Sequence, residues 1–254
     1  MPATDSTQRF SSRVNDYVRG RPSYPPQVIE LLKAECGLTP DCVIADIASG
    51  TGIFTRLLLE NGNRVFGVEP NSAMRSAGEE YLAAFRQFTS LNGTAEATSL
   101  PDHSVDFVTA AQAAHWFDPP AARREFARIL RPGGWLVFLW NERRVDSTPF
   151  LRDYEALLLK FGTDYQDVRH EHTTGRMGRF FVPLPFLSRT FEMLQPVDYA
   201  GLERRLLSSS YTPPPEHPNH MSMLHDLRRI FEAHQTNGEV VIEYTTRVYF
   251  GRLD

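Results

Sequence analysis

Val43-Ile44-Ala45-Asp46-Ile47-Ala48-Ser49-Gly50-Thr51-Gly52 begins as a strand and ends as a turn. Its first half is apolar and β-branched around one acid, a composition suited to a strand buried on both faces. Its second half holds only small residues, which let the chain bend tightly and let a ligand approach the backbone. Ile53, Phe54, Leu57 and Leu58 follow at helical spacing, and the run stops at Asn61-Gly62, a C-terminal helix signal. A strand, a small-residue turn and a helix in that order form the first half of a βαβ unit.

Outward from this point the alternation continues. RVFGVE (64–69), VDFVTAA (105–111) and WLVFLWN (135–141) read as further strands. One helix is expected to start at Asn71 or Ser72, after Pro70. Another follows Asp118-Pro119-Pro120, buries Phe126, Ile129 and Leu130, and ends before Arg131-Pro132-Gly133-Gly134. The run from Phe88 to Ala95 falls where one more strand is due, and the polar stretch from Glu96 to Ser104 is a loop.

Beyond Asn141 the pattern predicts a helix near Phe150 to Phe161, then the aromatic, proline-rich segment RFFVPLPF, then a strand around Phe191 to Leu194. Helices near Asp198 to Leu207 and Met221 to Ala233 flank a proline cluster, Pro213 to Pro218. VVIEYTTRVYFGRL, bounded by Asn237-Gly238, alternates like an antiparallel strand added at a sheet edge. The expected fold is therefore α/β, a doubly wound Rossmann-like and mostly parallel sheet with an antiparallel edge strand near the C-terminus and a helical lid or cap. One domain over residues 1–254 is expected, with its core at 41–145 and 190–254 and its lid and cap elements at 1–40 and 146–189.

The 254 residues are 41% apolar, enough for a sizeable core, and carry a formal charge of -4. Basic residues come as scattered pairs, Arg123-Arg124, Arg143-Arg144, Arg204-Arg205 and Arg228-Arg229, and not as a run that could track a phosphate backbone, so no nucleic-acid partner is expected. No stretch approaches the roughly 20 apolar residues of a membrane span, and the start MPATDSTQRFSSR lacks an apolar signal centre. A cytoplasmic protein without a membrane partner is expected. Cys36 and Cys42 are too few for a disulfide framework, and their spacing matches no metal motif.

Glu69 closes the second strand about 20 residues past the turn, where a carboxylate can accept hydrogen bonds from ribose hydroxyls. Both dinucleotides and adenosyl amino acids fit such a site. A dinucleotide fingerprint needs a third small residue where this chain has Thr55, and Asp46 would set a negative charge where a pyrophosphate should lie. A cationic sulfonium amino acid tolerates that charge.

DIASGTG (46–52) is similar to the glycine-rich first motif of class I S-adenosylmethionine-dependent methyltransferases, and the resemblance spans most of the chain, most specifically Val43 to Asn141. It implies S-adenosylmethionine as cofactor, with Asp46, Ala48, Ser49, Gly50 and Gly52 around its methionine part. Ala48 stands where the family commonly has its first glycine. The resemblance further implies Glu69 at the ribose, Met74 against the adenine and Ala95-Glu96 along the adenine edge; Pro70 and Gln112 complete the candidate cofactor set. FSSRVNDYVRGRPSYPPQVIELL (10–32) and AQAAHWFD (111–118) resemble a small-molecule subgroup, the methyltransferase type 11 or trans-aconitate methyltransferase-like group. That resemblance implies a lid carrying Tyr17, Arg19, Arg21 and Tyr24 near the cofactor's carboxylate, where an arginine fork can pair with it.

His115 and Trp116 follow a strand, at the end where ligands sit in open α/β sheets. With Tyr24 they form the candidate substrate set. A carboxylate acceptor needs no base, whereas a hydroxyl or carbon acceptor needs one, and His115 is the candidate catalytic base. The small-molecule acceptor is thus expected to take a methyl by in-line displacement, a carboxylate being one class that fits. A cofactor-binding protein without turnover and a nicotinamide-dependent oxidoreductase are the competing readings. His170 with His172, and His217 with His220 and His225, lack acidic or cysteine partners at a metal-ligand spacing, so no metal is expected.

Overall fold

The computed structural model describes residues 20–165 and 173–253. Seven strands form one sheet: β1 (Val43–Ile47), β2 (Arg64–Val68), β3 (Phe88–Leu91), β4 (Val105–Ala111), β5 (Leu130–Arg143), β6 (Phe186–Val197) and β7 (Val240–Arg252). Their order is β3-β2-β1-β4-β5-β7-β6. β1 to β5 are mutually parallel, and β7 lies antiparallel between β5 and β6. The sheet is thus mostly parallel, as expected. The antiparallel edge is a pair: the C-terminal strand sits one place inside, and β6 covers it.

Eight helices among the described residues complete the chain: α1 (Gln27–Cys36), α2 (Ile53–Glu60), α3 (Ser72–Tyr81), α4 (Pro119–Ile129), α5 (Pro149–Phe161), α6 (Thr173–Phe181), α7 (Tyr199–Leu207) and α8 (His220–His234). Four of them start on side-chain caps. The side chains of Asn71, Asp118, Thr148 and Asp198 accept the backbone N–H of Met74, Ala121, Leu151 and Gly201. Each such cap contributes about 1 kcal/mol by satisfying a backbone donor the helix leaves open. Asn71 and the Asp118-Pro119-Pro120 start agree with the sequence pattern.

Both faces of the sheet are buried, and successive strand residues alternate between them. Ala45 and Ile47 of β1 and Leu136 and Phe138 of β5 join one cluster with Phe126 and Ile129 of α4 and Met177, Phe180 and Phe181 of α6. Ile44, Val137 and Leu139 join the other, with Leu32 of α1 and Phe54 and Leu58 of α2. Phe180 and Phe181, on RFFVPLPF, are therefore core residues; the Phe180 ring lies 4.8 Å from that of Phe138. A third cluster joins α5, α7 and α8 to Val240, Ile242 and Tyr244 at the start of β7. Because Tyr244 pairs with Arg143 at the carboxyl end of β5, this helical layer lies beside the carboxyl ends of the parallel strands. It draws on residues past 190 as well as on 146–189.

The chain leaves β1 for β2 and β3 on one side and returns to β4 and β5 on the other. Neighbouring loops therefore diverge above β1 and β4, which opens the crevice where ligands bind in such sheets. Phe126→Ala, which empties a fully buried site, is expected to cost about 3–5 kcal/mol. Leu187→Ala, on the exposed face of β6, is expected to cost less than about 1 kcal/mol. Urea titration of both variants against the parent protein checks the contrast.

Candidate functional site

A cleft open to solvent lies at that crevice, and Asp46, Ala48, Ser49, Gly50, Thr51, Gln112, Asn141, Arg205 and Tyr244 are among the residues lining it. Asp46 is 1% exposed. Thr55 on α2 donates its hydroxyl to one carboxylate oxygen (2.6 Å) and Thr109 on β4 to the other (2.8 Å). Asp46 and Thr109 face each other in the β1–β4 register, so the sheet itself fixes the second bond. Thr55, the residue that breaks the dinucleotide pattern, thus anchors the acid.

Burial pushes the Asp46 carboxyl up to about 6, against the opposing pull of the two threonine hydrogen bonds, and the nearby Glu69 adds to the rise. Glu69 is also raised, chiefly by burial. Its carboxylate accepts the N–H of Gly50 (2.9 Å) with one oxygen and that of Asn71 (2.8 Å) with the other. Glu69 therefore ties the end of β2 to the turn after β1 and to the start of α3. Each oxygen keeps a lone pair for a further donor.

The turn bends through left-handed conformations at Ala48 (φ 53°), Gly50 (φ 57°) and Gly52 (φ 84°). For the glycines this is free of Cβ strain, whereas at Ala48 it costs roughly 1–2 kcal/mol. Gln112, at the end of the neighbouring β4, is likewise left-handed (φ 58°). Its Nε2 donates to the Asn141 carbonyl (3.0 Å), which aims the amide at the cleft. Gln112 Oε1 and Thr51 Oγ1 are buried with no hydrogen-bond partner among the described residues. Two orphaned polar atoms beside strained backbone are what a polar ligand would satisfy.

Residues 20–24 cross one side of the cleft. Arg21 Nη2 donates to the Ser208 carbonyl (3.0 Å), and Asn141 Nδ2 donates to the Ser23 carbonyl (3.0 Å). The Tyr24 ring packs edge-on against Phe54 at 5.3 Å. Tyr17 and Arg19 lie outside the described residues, as do His170 and His172. Arg21, Tyr24, Asp46, Ala48, Ser49, Gly50 and Gln112 are thus brought together on one cleft. Glu69 stands behind Gly50, and the Met74 Sδ-methyl lies close to Gly50.

Gly52, Pro70, Ala95 and Glu96 do not line the cleft; Glu96 accepts the Asp118 N–H (3.0 Å). His115 and Trp116 form a short helical turn outside it, with the His115 ring 4.3 Å from Trp116 and 5.1 Å from buried Trp140. The His220 ring holds the Pro213 carbonyl at 2.9 Å. Among the described residues no three histidines, cysteines or acids gather as a metal would require.

Sequence reasoning placed none of Asn141, Arg205 and Tyr244 in the site, reading the arginine pairs as solvated surface of which one could meet an anionic substrate. The signal for Arg205 was present: it shares a helical stripe with Leu202 and Leu206, an unusual place for a charge. Asn141 ends the WLVFLWN run at the ligand end of its strand.

This strand order, with β7 reversed and a small-residue turn above β1, defines a class I S-adenosylmethionine-dependent methyltransferase fold. Residues 45–138 match the family described as Methyltransferase domain. An uncharacterized methyltransferase of Mycobacterium tuberculosis is 44% identical over 139 residues, 55% of this chain and 54% of that protein. The chain therefore aligns with about half the length of such curated relatives. A protein assigned as a methyltransferase of an antibiotic biosynthesis pathway in Anabaena variabilis shares the fold, with a TM-score of 0.64 at 22% identity over 93% of this chain and all of that one. The phosphoethanolamine N-methyltransferase 2 of Haemonchus contortus, solved with phosphomonomethylethanolamine and S-adenosylhomocysteine, is similar at a TM-score of 0.56 and 14% identity, over 97% of this chain and 58% of that one. Among the described residues no helix is long and apolar enough to cross a membrane.

Asp46 carries a measurable consequence for stability. Its folded-state pKa of about 6 exceeds the ordinary 3.8, so the fold favours the neutral acid. That penalty is absent below about pH 4, grows through pH 6 and reaches about 3 kcal/mol above it. Asp46→Asn removes the charge while its amide can still meet both threonines. The ligand-free variant is expected to melt at or above the parent at pH 7.5, with the difference vanishing near pH 4. Paired thermal melts across that range check it, and a variant less stable at pH 7.5 would contradict the account.

Proposed function

We propose that this chain transfers a methyl group from S-adenosylmethionine to a small-molecule acceptor by in-line displacement, releasing S-adenosylhomocysteine. The observation that carries this reading is the buried Asp46 carboxylate, held by two threonines at a strained turn beside two orphaned polar atoms. A negative charge there suits an ammonium or sulfonium and repels a pyrophosphate, which also disfavours a nicotinamide dinucleotide.

The cofactor supplies a methyl carbon made electrophilic by its sulfonium. Asp46 would receive the cofactor's ammonium, with Gln112 Oε1 and Thr51 Oγ1 taking further donors. Ser49 and Gly50 would line the methionine part, and Gly52 lets the turn close. Glu69 would accept the ribose hydroxyls with its remaining lone pairs, while Pro70, Met74, Ala95 and Glu96 would border the adenine. Arg21, with Tyr17 from the same lid, would face the cofactor's carboxylate. Tyr24 and Trp116 would wall the acceptor.

The protein's main catalytic contribution would be alignment, holding the acceptor atom about 3–3.5 Å from the methyl while water is excluded. The lid at residues 1–40 and the cap at 146–189, joined by α7 and α8, would provide that exclusion. His115 lies off the cleft among aromatic rings, which favours an acceptor that needs no base, such as a carboxylate. A hydroxyl or carbon acceptor would require His115 to swing toward it.

Calorimetric titration with S-adenosylhomocysteine tests the reading. The parent is expected to bind it and to ignore NAD. Binding is expected to tighten between pH 5 and pH 7, because Asp46 must be ionised to meet the ammonium and its pKa lies near 6. Asp46→Asn should lose that pH dependence and bind about tenfold or more weakly, in line with a lost charge-assisted contact. Glu69→Ala should also weaken binding. A parent protein with no heat at any pH would sink the proposal. Release of S-adenosylhomocysteine from S-adenosylmethionine with panels of small carboxylic acids then reads turnover.

A further inference from the structure

Arg205 lines the cleft and is 8% exposed. An arginine cannot shed its proton in a protein, so this is a buried positive charge, and leaving such a charge without a carboxylate costs several kcal/mol. Among the described residues its side chain hydrogen-bonds to hydroxyls: Nε donates to Tyr244 (3.1 Å) and Nη1 to Ser209 (3.0 Å). Nη2 has no hydrogen-bond partner among the described residues. A second buried arginine of the same layer, Arg143, is neutralised by Glu155 and also donates to Tyr165. Among the described residues, therefore, one of the two has a carboxylate counter-charge and the other does not.

The surroundings hold Arg205 in place without neutralising it. Tyr244 accepts from Nε and donates its own hydroxyl to Gln195 (3.1 Å), so its orientation is fixed from β6. Ser209 fixes the other side of the guanidinium. The planar fork is thus presented from the helical layer to the cleft that Asp46 lines from the end of β1.

We infer that Arg205 is the receptor for an anionic group of the methyl acceptor, a carboxylate held by the guanidinium and framed by the Tyr244 hydroxyl. This rests on the proposed methyl transfer, whose cofactor would occupy the Asp46 side of the same cleft. A carboxylate held by the fork has its electron density drawn toward the guanidinium and is a poorer nucleophile. The group at Arg205 is therefore an anchor, and the methyl goes to another atom of the acceptor. An acceptor with an acid at one end and its nucleophile at the other is the class selected.

The test uses full-length protein saturated with S-adenosylhomocysteine, titrated with acetate, benzoate, succinate and glutarate and with the corresponding amides. At least one acid should bind, and its amide should bind tenfold or more weakly. Arg205→Gln should lose the acid by a similar factor, Arg205→Lys should retain part of it, and both should bind S-adenosylhomocysteine as the parent does, which also shows that they fold. Failure of the parent to bind S-adenosylhomocysteine would defeat the methyl-transfer reading itself. If it binds but takes none of the four acids, or takes acid and amide alike, the anchor is wrong. If Arg205→Gln weakens S-adenosylhomocysteine but not 5′-methylthioadenosine, which lacks the amino-acid part, Arg205 serves the cofactor's carboxylate and the inference is overturned.

Discussion

The two hydroxyl donors on Asp46 hold the centre of this molecule together. One comes from the next strand of the sheet and one from the helix that follows the turn, so a single carboxylate joins β1, β4 and α2 at the point where the chain divides to either side. Burying an acid is unfavourable, and two hydrogen bonds offset part of the cost while leaving the group raised toward neutrality. A purely structural role would be served as well by an asparagine. A charge kept at a net cost makes sense where something cationic is to be received.

The strain lies in the same place. Ala48 and Gln112 end adjacent strands in left-handed backbone that ordinary residues avoid, and both face the cleft. Neither would hold that conformation alone; the β1–β4 pairing, the Glu69 bond to Gly50 and the Gln112 bond to Asn141 over-determine it. The result is a row of backbone and amide groups already turned toward the ligand position, with little left to reorganise on binding.

Much of this was legible in the sequence because it is local. A buried strand, small residues and an amphipathic helix set the first βαβ unit, and an Asx cap with prolines set the start of α4. Asp46 and Glu69 were readable because spacing along consecutive strands fixes which residues reach the carboxyl ends. β6 was readable only over Phe191 to Leu194 because much of one face meets solvent, so its outer residues lack an apolar alternation. Its position outside β7 follows from pairing between distant segments, which no local pattern encodes. Asn141, Arg205 and Tyr244 escaped for the same reason: they meet at the cleft only when β5, α7 and β7 are assembled. Nothing local in RFFVPLPF says what Phe180 and Phe181 pack against, and only the assembled sheet brings them onto Phe138 in the core.

The reversed strand is what lets two chemistries share one cleft. Parallel strands carry their carboxyl ends, and hence Asp46 and Gln112, to one rim of the sheet. β7 runs the other way, so its first residues arrive at that same rim, and Tyr244 stands there opposite Arg143 and Met193. Its hydroxyl accepts from Arg205, which the helical layer supplies. A carboxylate built into the sheet and a guanidinium built into the cap thereby face a common space from elements that fold through separate apolar clusters. Asn141 joins the two halves: its side chain takes the Thr246 hydroxyl of β7 and gives an N–H to the Ser23 carbonyl of the segment crossing the cleft, so one amide ties β5, β7 and that segment together.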